Sequence, residues 1–183
     1  MTLVSTRYVT SVSQADALDG WREHRNGGGV LFDIKSNEVV LGGLSMPHSP
    51  RLYRGKVWLL DSGACYFGYA GDNGQFERVA FCPGFLRGLA FIGNYAIVGM
   101  SQRRHNKTLS GLPLDDHLEE RKTEGRCGIQ IIDLDTGDIV HGIHLGGVVE
   151  ELYDVLVLQG VKRPMALGFV TDEIRMVILL PES

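Results

Sequence analysis

Polar side chains recur at one position of an internal repeat. Ser49, Arg87 and Asp154 each precede a turn glycine by six residues. Arginine guanidinium groups bind carboxylate and phosphate oxygens through paired hydrogen bonds. If the repeat arranges these positions around one axis, they form a ring suited to a small anion. The candidate ligand-binding residues are His48, Arg51, Arg87, Glu151, Asp154, Trp21, Arg22, Arg104 and His105.

The last four residues of that set come from two long polar segments. Residues 14–29 contain Trp21 and Arg22, and residues 102–126 contain Arg104 and His105. Each segment joins the second strand of a predicted sheet to the third, so both should lie on the same face as the repeat residues. Trp21 could then supply a stacking surface beside the arginines.

The same residues allow other interpretations. His48, Glu150, Glu151 and Asp154 offer the donor types of a divalent metal site, as in a metal-dependent hydrolase or lactonase. A purely structural role in a larger assembly is also open. Arg87 could bridge to Asp154 or Glu151, and His48 could cap a turn. Asp61, in LLDSG, is interpreted as an Asx-turn residue. No cofactor is identified, and whether the protein is an enzyme stays open.

Short β-strands dominate the chain, because runs of β-branched and aromatic residues alternate with turn signals. They are predicted at residues 7–13, 30–34, 39–44, 52–53, 57–60, 64–70, 76–81, 89–92, 95–100, 128–134, 139–145, 152–158, 165–169 and 173–180. The polar insertion 102–126 is predicted to hold one short helix at residues 113–122, with Leu114 and Leu118 on its inner face.

The spacing of the strands predicts an all-β fold of β-propeller-like four-stranded blades. Gly55 and Gly93 lie 38 residues apart, close to the period of about 40 that propeller blades show. With strands lettered A to D in each blade, the chain reads B-C-D, A-B-C-D, A-B-C-D, A-B-C. A β-sandwich of similar meanders is the alternative. We expect residues 1–183 to form a single half-propeller domain.

Three blades do not close a ring, and the first lacks its A strand. An open sheet edge templates association. We therefore expect two chains to exchange strands and close a six-bladed ring as a homodimer.

Composition limits the other partners. The formal net charge is −4, which gives no support to nucleic-acid binding. The N-terminal residues lack the apolar core of a signal peptide, and no apolar run approaches a membrane span of about 20 residues. We expect a cytoplasmic protein without a membrane partner. The widely spaced Cys65, Cys82 and Cys127 predict buried thiols rather than a disulfide framework.

Four sequence runs carry a family resemblance. The first extends from GWREHRNGGG to VWLLDSG, and the others are PGFLRGLAFIGNYAIVGMS, CGIQIIDLDTGDIV and ELYDVLVLQGV. Together they resemble the DUF4915 family of uncharacterised bacterial proteins over about residues 7–169. The resemblance implies a propeller protein whose members are roughly twice this length, with this chain similar to their C-terminal half. It implies no activity.

Overall fold

The computed structural model describes residues 7–102 and 111–164 and has an all-β architecture with little helix. The helices in these residues are two short 3-10 helices, Gly20–Arg22 and Ser62–Ala64, and α1 (Pro113–Glu120). The strands are β1 (Tyr8–Ser11), β2 (Gly29–Asp33), β3 (Glu38–Leu44), β4 (Pro47–Tyr53), β5 (Lys56–Asp61), β6 (Tyr66–Ala70), β7 (Phe76–Phe81), β8 (Phe85–Ile92), β9 (Tyr95–Ser101), β10 (Gly128–Asp133) and β11 (Ile139–His144).

The strands form three antiparallel sheets in chain order. The first sheet is β1-β2-β3, the second is β4-β5-β6-β7, and the third is β8-β9-β10-β11. This division confirms the predicted B-C-D, A-B-C-D, A-B-C-D grouping of these strands. Gly55 and Gly93 occupy the first hairpin turns of the second and third sheets with φ of 77° and 56°, where a side chain would be strained.

Two strands start earlier than predicted. The predicted strand 52–53 is part of β4, which begins at Pro47, and the predicted strand 89–92 is part of β8, which begins at Phe85. In both strands the pairing register shifts near the middle, between His48 and Arg51 in β4 and between Leu86 and Leu89 in β8. These bulges interrupt the alternation by which a strand is recognised in sequence.

Alternating side chains bury both faces of the second sheet. On one face Trp58, Leu60 and Phe67 pack with residues of the third sheet, such as Leu86 and Val98. On the other face Leu59 packs with residues of the first sheet, including Leu31, Leu41 and Leu44. The second sheet therefore lies between the first and the third, as expected when one small sheet cannot cover both of its faces.

The described part of the insertion after β9, residues 111–126, packs over the ends of the second and third sheets. Leu114 and Leu118 of α1 are buried with Met46, Cys65 and Phe85, which confirms the predicted inner face of this helix. Asp116, Glu119 and Glu120 on its other side are exposed.

The predicted strand at residues 152–158 is not formed within the described residues. No residue of this segment pairs with a described strand, although Val155 lies against β8. The predicted strands 165–169 and 173–180, and also Arg104 and His105, lie outside the described residues.

The three cysteines are free and buried, as predicted. Burial raises the pKa of the Cys65 thiol to about 12. No helix in the described ranges is long and apolar enough to cross a membrane.

Candidate functional site

The connections at one end of the sheets converge. In an antiparallel sheet, successive connections alternate between the two ends. With the strands lettered as above, so that β1 is a B strand, the links between sheets therefore lie at the same end as the link from the B strand to the C strand of each sheet. We call this the loop end. It comprises residues 12–28, 45–46, 62–65, 82–84, the described part of 102–127, and 145–151.

The bulges of β4 and β8 touch each other near the loop end. The bulge in β4 contains Ser49 with φ of 55°, and the bulge in β8 contains Gly88 with φ of 78°. The Gly88 N–H donates a hydrogen bond of 3.2 Å to the Ser49 hydroxyl. Bulges turn side chains out of the regular pleat. They therefore take the neighbouring side chains of His48 and Arg87 out of the regular alternation of their strands.

His48 and Arg87 lie around the ring of Phe85. The His48 ring meets the Phe85 ring edge-on at 5.7 Å between centroids, and the Arg87 guanidinium carbon lies 5.4 Å from the Phe85 centroid. The Arg87 guanidinium also lies 5.1 Å from the ring centroid of Tyr153. These two aromatic contacts involve a half-buried guanidinium, and cation–π contacts are stronger where the cation is partly desolvated.

The His48 imidazole is a neutral polar group in this environment. Burial and the positive charge of Arg87 lower the pKa of His48 to about 4. Its Nε2 atom is buried and has no hydrogen-bond partner among the described residues. A buried polar atom without a partner has a desolvation cost of about 1–3 kcal/mol. The imidazole therefore has unused hydrogen-bonding capacity beside a cation.

Arg51 and Asp154 complete the same neighbourhood. The Arg51 Nη2 and Asp154 Oδ1 atoms are 3.9 Å apart, and both side chains are substantially exposed. An exposed pair of this kind contributes at most about 1 kcal/mol. It links β4 of the second sheet to the segment that follows the third, so Arg51 and Asp154 connect two repeats.

The segment carrying Asp154 and Glu151 is tied to the end of β9. The Gln102 N–H donates to the Glu150 carbonyl at 2.8 Å. The Ser101 hydroxyl contacts both the carbonyl and the N–H of Leu152, at 3.1 and 3.0 Å. Glu151 is half-buried on this segment. The structure thus brings His48, Arg51, Arg87 and Asp154 into one neighbourhood, with Glu151 close along the chain.

Trp21 and Arg22, which were predicted to bind a ligand, make contacts that support the fold. Trp21 packs against the buried cluster that contains Met46 and Phe85. The Arg22 guanidinium lies 4.7 Å from the Trp21 ring centroid, and Arg22 Nε lies 3.4 Å from Asp19 Oδ1. The Trp21 indole therefore anchors residues 12–28 at the loop end. The Arg22 guanidinium already contacts the face of the indole that was predicted to stack on a ligand.

A second polar group at the loop end was missed by sequence reasoning. Asp61 is only 5% exposed, and its Oδ1 accepts a 2.7 Å hydrogen bond from the Ser45 N–H. The interpretation of Asp61 as an Asx-turn residue is therefore wrong, because the carboxylate fixes the link between the first two sheets. Burial raises the pKa of Asp61 to about 6, against the lowering effects of the Ser45 bond, Arg78 and His117.

Residues around Asp61 are closed in by α1. The fully buried Ser62 hydroxyl has no hydrogen-bond partner among the described residues. His117 of α1 has its Nδ1 atom 2.9 Å from the Ala64 carbonyl oxygen. The feature of the sequence that could have indicated the role of Asp61 is an acidic residue at the end of an apolar strand, followed by Ser-Gly. Its burial depends on a helix more than fifty residues later in the chain.

The described residues contain no group of three or more His, Cys, Asp or Glu side chains placed to hold a metal ion. The four donors considered for a metal-dependent hydrolase, His48, Glu150, Glu151 and Asp154, therefore do not form a ligand set in this conformation.

The model of a family described as a domain of unknown function, DUF4915, matches residues 1–167 of the chain. No curated protein matches it.

Proposed function

Because this chain belongs to the DUF4915 family, whose description specifies no activity, we propose a function from its geometry alone. The three sheets are consecutive blades of a β-propeller, and their loop end binds a small anionic ligand through Arg87 and His48. The observation that carries this proposal is the buried Nε2 of His48, which has no hydrogen-bond partner in residues 7–102 and 111–164 and lies beside the Arg87 guanidinium.

The packing supports the propeller arrangement. Each sheet buries a face against the next sheet in the chain, with Leu59 on one side of the second sheet and Leu60 on the other. The first strands β4 and β8 lie side by side, as the innermost strands of neighbouring blades do. The loop end is then the mouth of the central channel.

The chemistry of the neighbourhood supports a carboxylate or phosphate group as the ligand. The guanidinium fork of Arg87 offers paired N–H donors, and aromatic contacts with Phe85 and Tyr153 restrict its orientation. In the tautomer with hydrogen on Nε2, His48 adds a neutral donor. Because its pKa is about 4, the imidazole binds an anion as a dipole at neutral pH, so binding should change little between pH 6 and pH 8.

Arg51 supplies an adjustable second cation. It is paired with Asp154 at 3.9 Å through exposed side chains, and a weak exposed pair is readily exchanged for a ligand oxygen. Asp154 also repels a second negative group, so the arrangement favours a compact anion over an extended acidic surface.

Thermal denaturation with inorganic phosphate, acetate and a phosphorylated sugar tests this proposal. A ligand at 100 times its Kd stabilises the folded state by about 2.7 kcal/mol. For a chain of this size that raises Tm by about 5–11 °C. Arg87→Ala should abolish the increase. Arg54→Ala is the matched control, since Arg54 is an exposed arginine in a hairpin turn at the opposite end, and it should retain the increase.

The proposal would be refuted if none of these anions raised the Tm of the unmodified protein. It would equally be refuted if Arg87→Ala and Arg54→Ala responded alike, because the stabilisation would then come from general ionic effects.

A further inference from the structure

Residues 152–158 have the sequence pattern of an inner strand but do not pair with any described strand. Their sequence, LYDVLVL, occupies the repeat position of PHSPRLY in β4 and FLRGLAF in β8. Exposure alternates along the segment: Val155 and Val157 are half-buried, and Leu156 and Leu158 are 79% and 51% exposed. This two-residue period is typical of a strand with one face covered.

Backbone groups in the second half of the segment have no strand partner among the described residues. Leu156 and Val157 make no backbone–backbone hydrogen bond with any described residue, whereas the Val155 N–H donates to the Asp154 Oδ1 atom at 2.9 Å. The residues of β4 and β8 that correspond to Leu156 and Val157 pair with the next strand of their own sheet. Exposed leucines next to unpaired backbone groups are the features of an edge that adds to another sheet.

The complementary edge is β1. The first sheet has three strands where the second and third have four, and within the described residues β1 pairs only with β2. The strand that the repeat places beside β1 is an inner strand equivalent to β4 and β8. Residues 152–158 have the length and pattern of that strand.

The two edges lie at opposite ends of one chain. Val155 lies against the third sheet, where a Cβ added to Gly88 would meet the Val155 nitrogen at 2.5 Å and one added to Gly99 would meet Val155 Cγ2 at 2.8 Å. The first sheet, with β1, lies beyond the second sheet. If residues 152–158 paired with β1 of the same chain, the packed sheets between them would have to separate. Pairing with β1 of a second copy leaves the sheets of both copies packed as they are.

We propose that residues 152–158 pair antiparallel with β1 of a second copy and complete its first sheet as the fourth, innermost strand. This inference rests on the propeller arrangement proposed above. By two-fold symmetry each copy gives one strand and receives one. The contact also brings together outer faces that bear exposed apolar residues, Ile143 of the third sheet and Val9 and Val39 of the first. The closed ring carries two copies of the His48–Arg87 cluster around one mouth.

Molar mass in solution tests this pairing. We expect the unmodified protein at micromolar concentration to have twice the mass of one chain by light scattering. Leu156→Asp should raise the dimer Kd by more than about tenfold, since it places a charge in the centre of the contact. Leu18→Asp makes the same change at a leucine that is 98% exposed in another segment, and it should remain dimeric. Circular dichroism verifies that both variants fold.

A cross-link identifies the partner strand. In the double variant Tyr8→Cys and Leu158→Cys, oxidation should produce a covalent dimer on a non-reducing gel, whereas pairing within one chain would leave the mass unchanged. A monomeric unmodified protein, a dimer that Leu156→Asp leaves intact, or a cross-link confined to one chain would each overturn the inference. Arg87→Ala should lose anion binding at unchanged mass, so failure of the binding proposal is seen separately.

Discussion

Replacing the buried Asp61 by asparagine should stabilise the protein at neutral pH and not at acid pH. The folded state raises the pKa of Asp61 from 3.8 to about 6, so it binds more protons than the unfolded state between these values. This contribution to stability is complete below pH 3.8 and is lost as pH rises to 6. The total corresponds to about 3 kcal/mol at 1.36 kcal/mol per pH unit. About 2 kcal/mol of it falls between pH 4.5 and pH 7.5.

Urea denaturation of Asp61→Asn and the unmodified protein at these two pH values measures the effect. Asparagine keeps a carbonyl oxygen for the Ser45 N–H bond and carries no charge. The variant should therefore gain about 2 kcal/mol relative to the unmodified protein on going from pH 4.5 to pH 7.5. Titration of His48 occurs in both proteins and cancels in the difference.

Asp33→Asn is the matched control. Its hydrogen bond with Arg7 lowers the pKa of Asp33 below 3.8, so this carboxylate contributes stability above that value and loses it only at lower pH. The difference between Asp33→Asn and the unmodified protein should thus be nearly the same at pH 4.5 and pH 7.5. If Asp61→Asn showed an equally flat difference, Asp61 would be hydrated in solution and the buried contact with Ser45 would be incorrect.

Three further substitutions test the packing and the site. Phe67→Ala removes a fully buried ring between the second and third sheets and should lower the free energy of unfolding by about 3–5 kcal/mol in urea. Gly88→Ala should be clearly more destabilising than Gly55→Ala by thermal denaturation: both have positive φ, but a Cβ at Gly88 meets the Val155 backbone and one at Gly55 meets nothing. His48→Phe should leave Tm unchanged or slightly higher, because it removes a buried unpartnered atom, and should weaken the anion-induced rise in Tm.

For each of these substitutions, a different result would contradict the structure or the proposed site. A loss below about 1 kcal/mol for Phe67→Ala would indicate that the two sheets do not pack face to face. Equal effects of the two glycine substitutions would remove Val155 from its place against β8. An undiminished anion response in His48→Phe would leave Arg87 as the sole member of the proposed pair.

The strand order could be predicted because its determinants are local. Gly55 and Gly93 mark tight turns whose positive φ excludes most side chains, and the strands beside them alternate as one buried face requires. The early parts of β4 and β8 were missed because bulges at Ser49 and Arg87 break that alternation. A search for side chains that alternate every two residues recognises only strands with a regular pleat.

The site was less predictable, because it depends on contacts between distant segments. The repeat alignment indicated that His48 and Arg87 lie at the same end, but the aromatic contacts of Arg87 involve Tyr153, far along the chain. The burial of Asp61 depends on the late insertion that contributes α1. Residues 152–158 show the converse case: the local pattern is that of a strand, yet no described strand pairs with the segment, and a strand needs such a partner.

A crystal structure of the purified protein tests the central claim most directly. We predict six sheets in one ring around a common channel, with residues 152–158 of each copy hydrogen-bonded to β1 of the other and two His48–Arg87 clusters at the mouth. A single copy whose first sheet keeps three strands, or two sheets packed as a sandwich, would contradict the account.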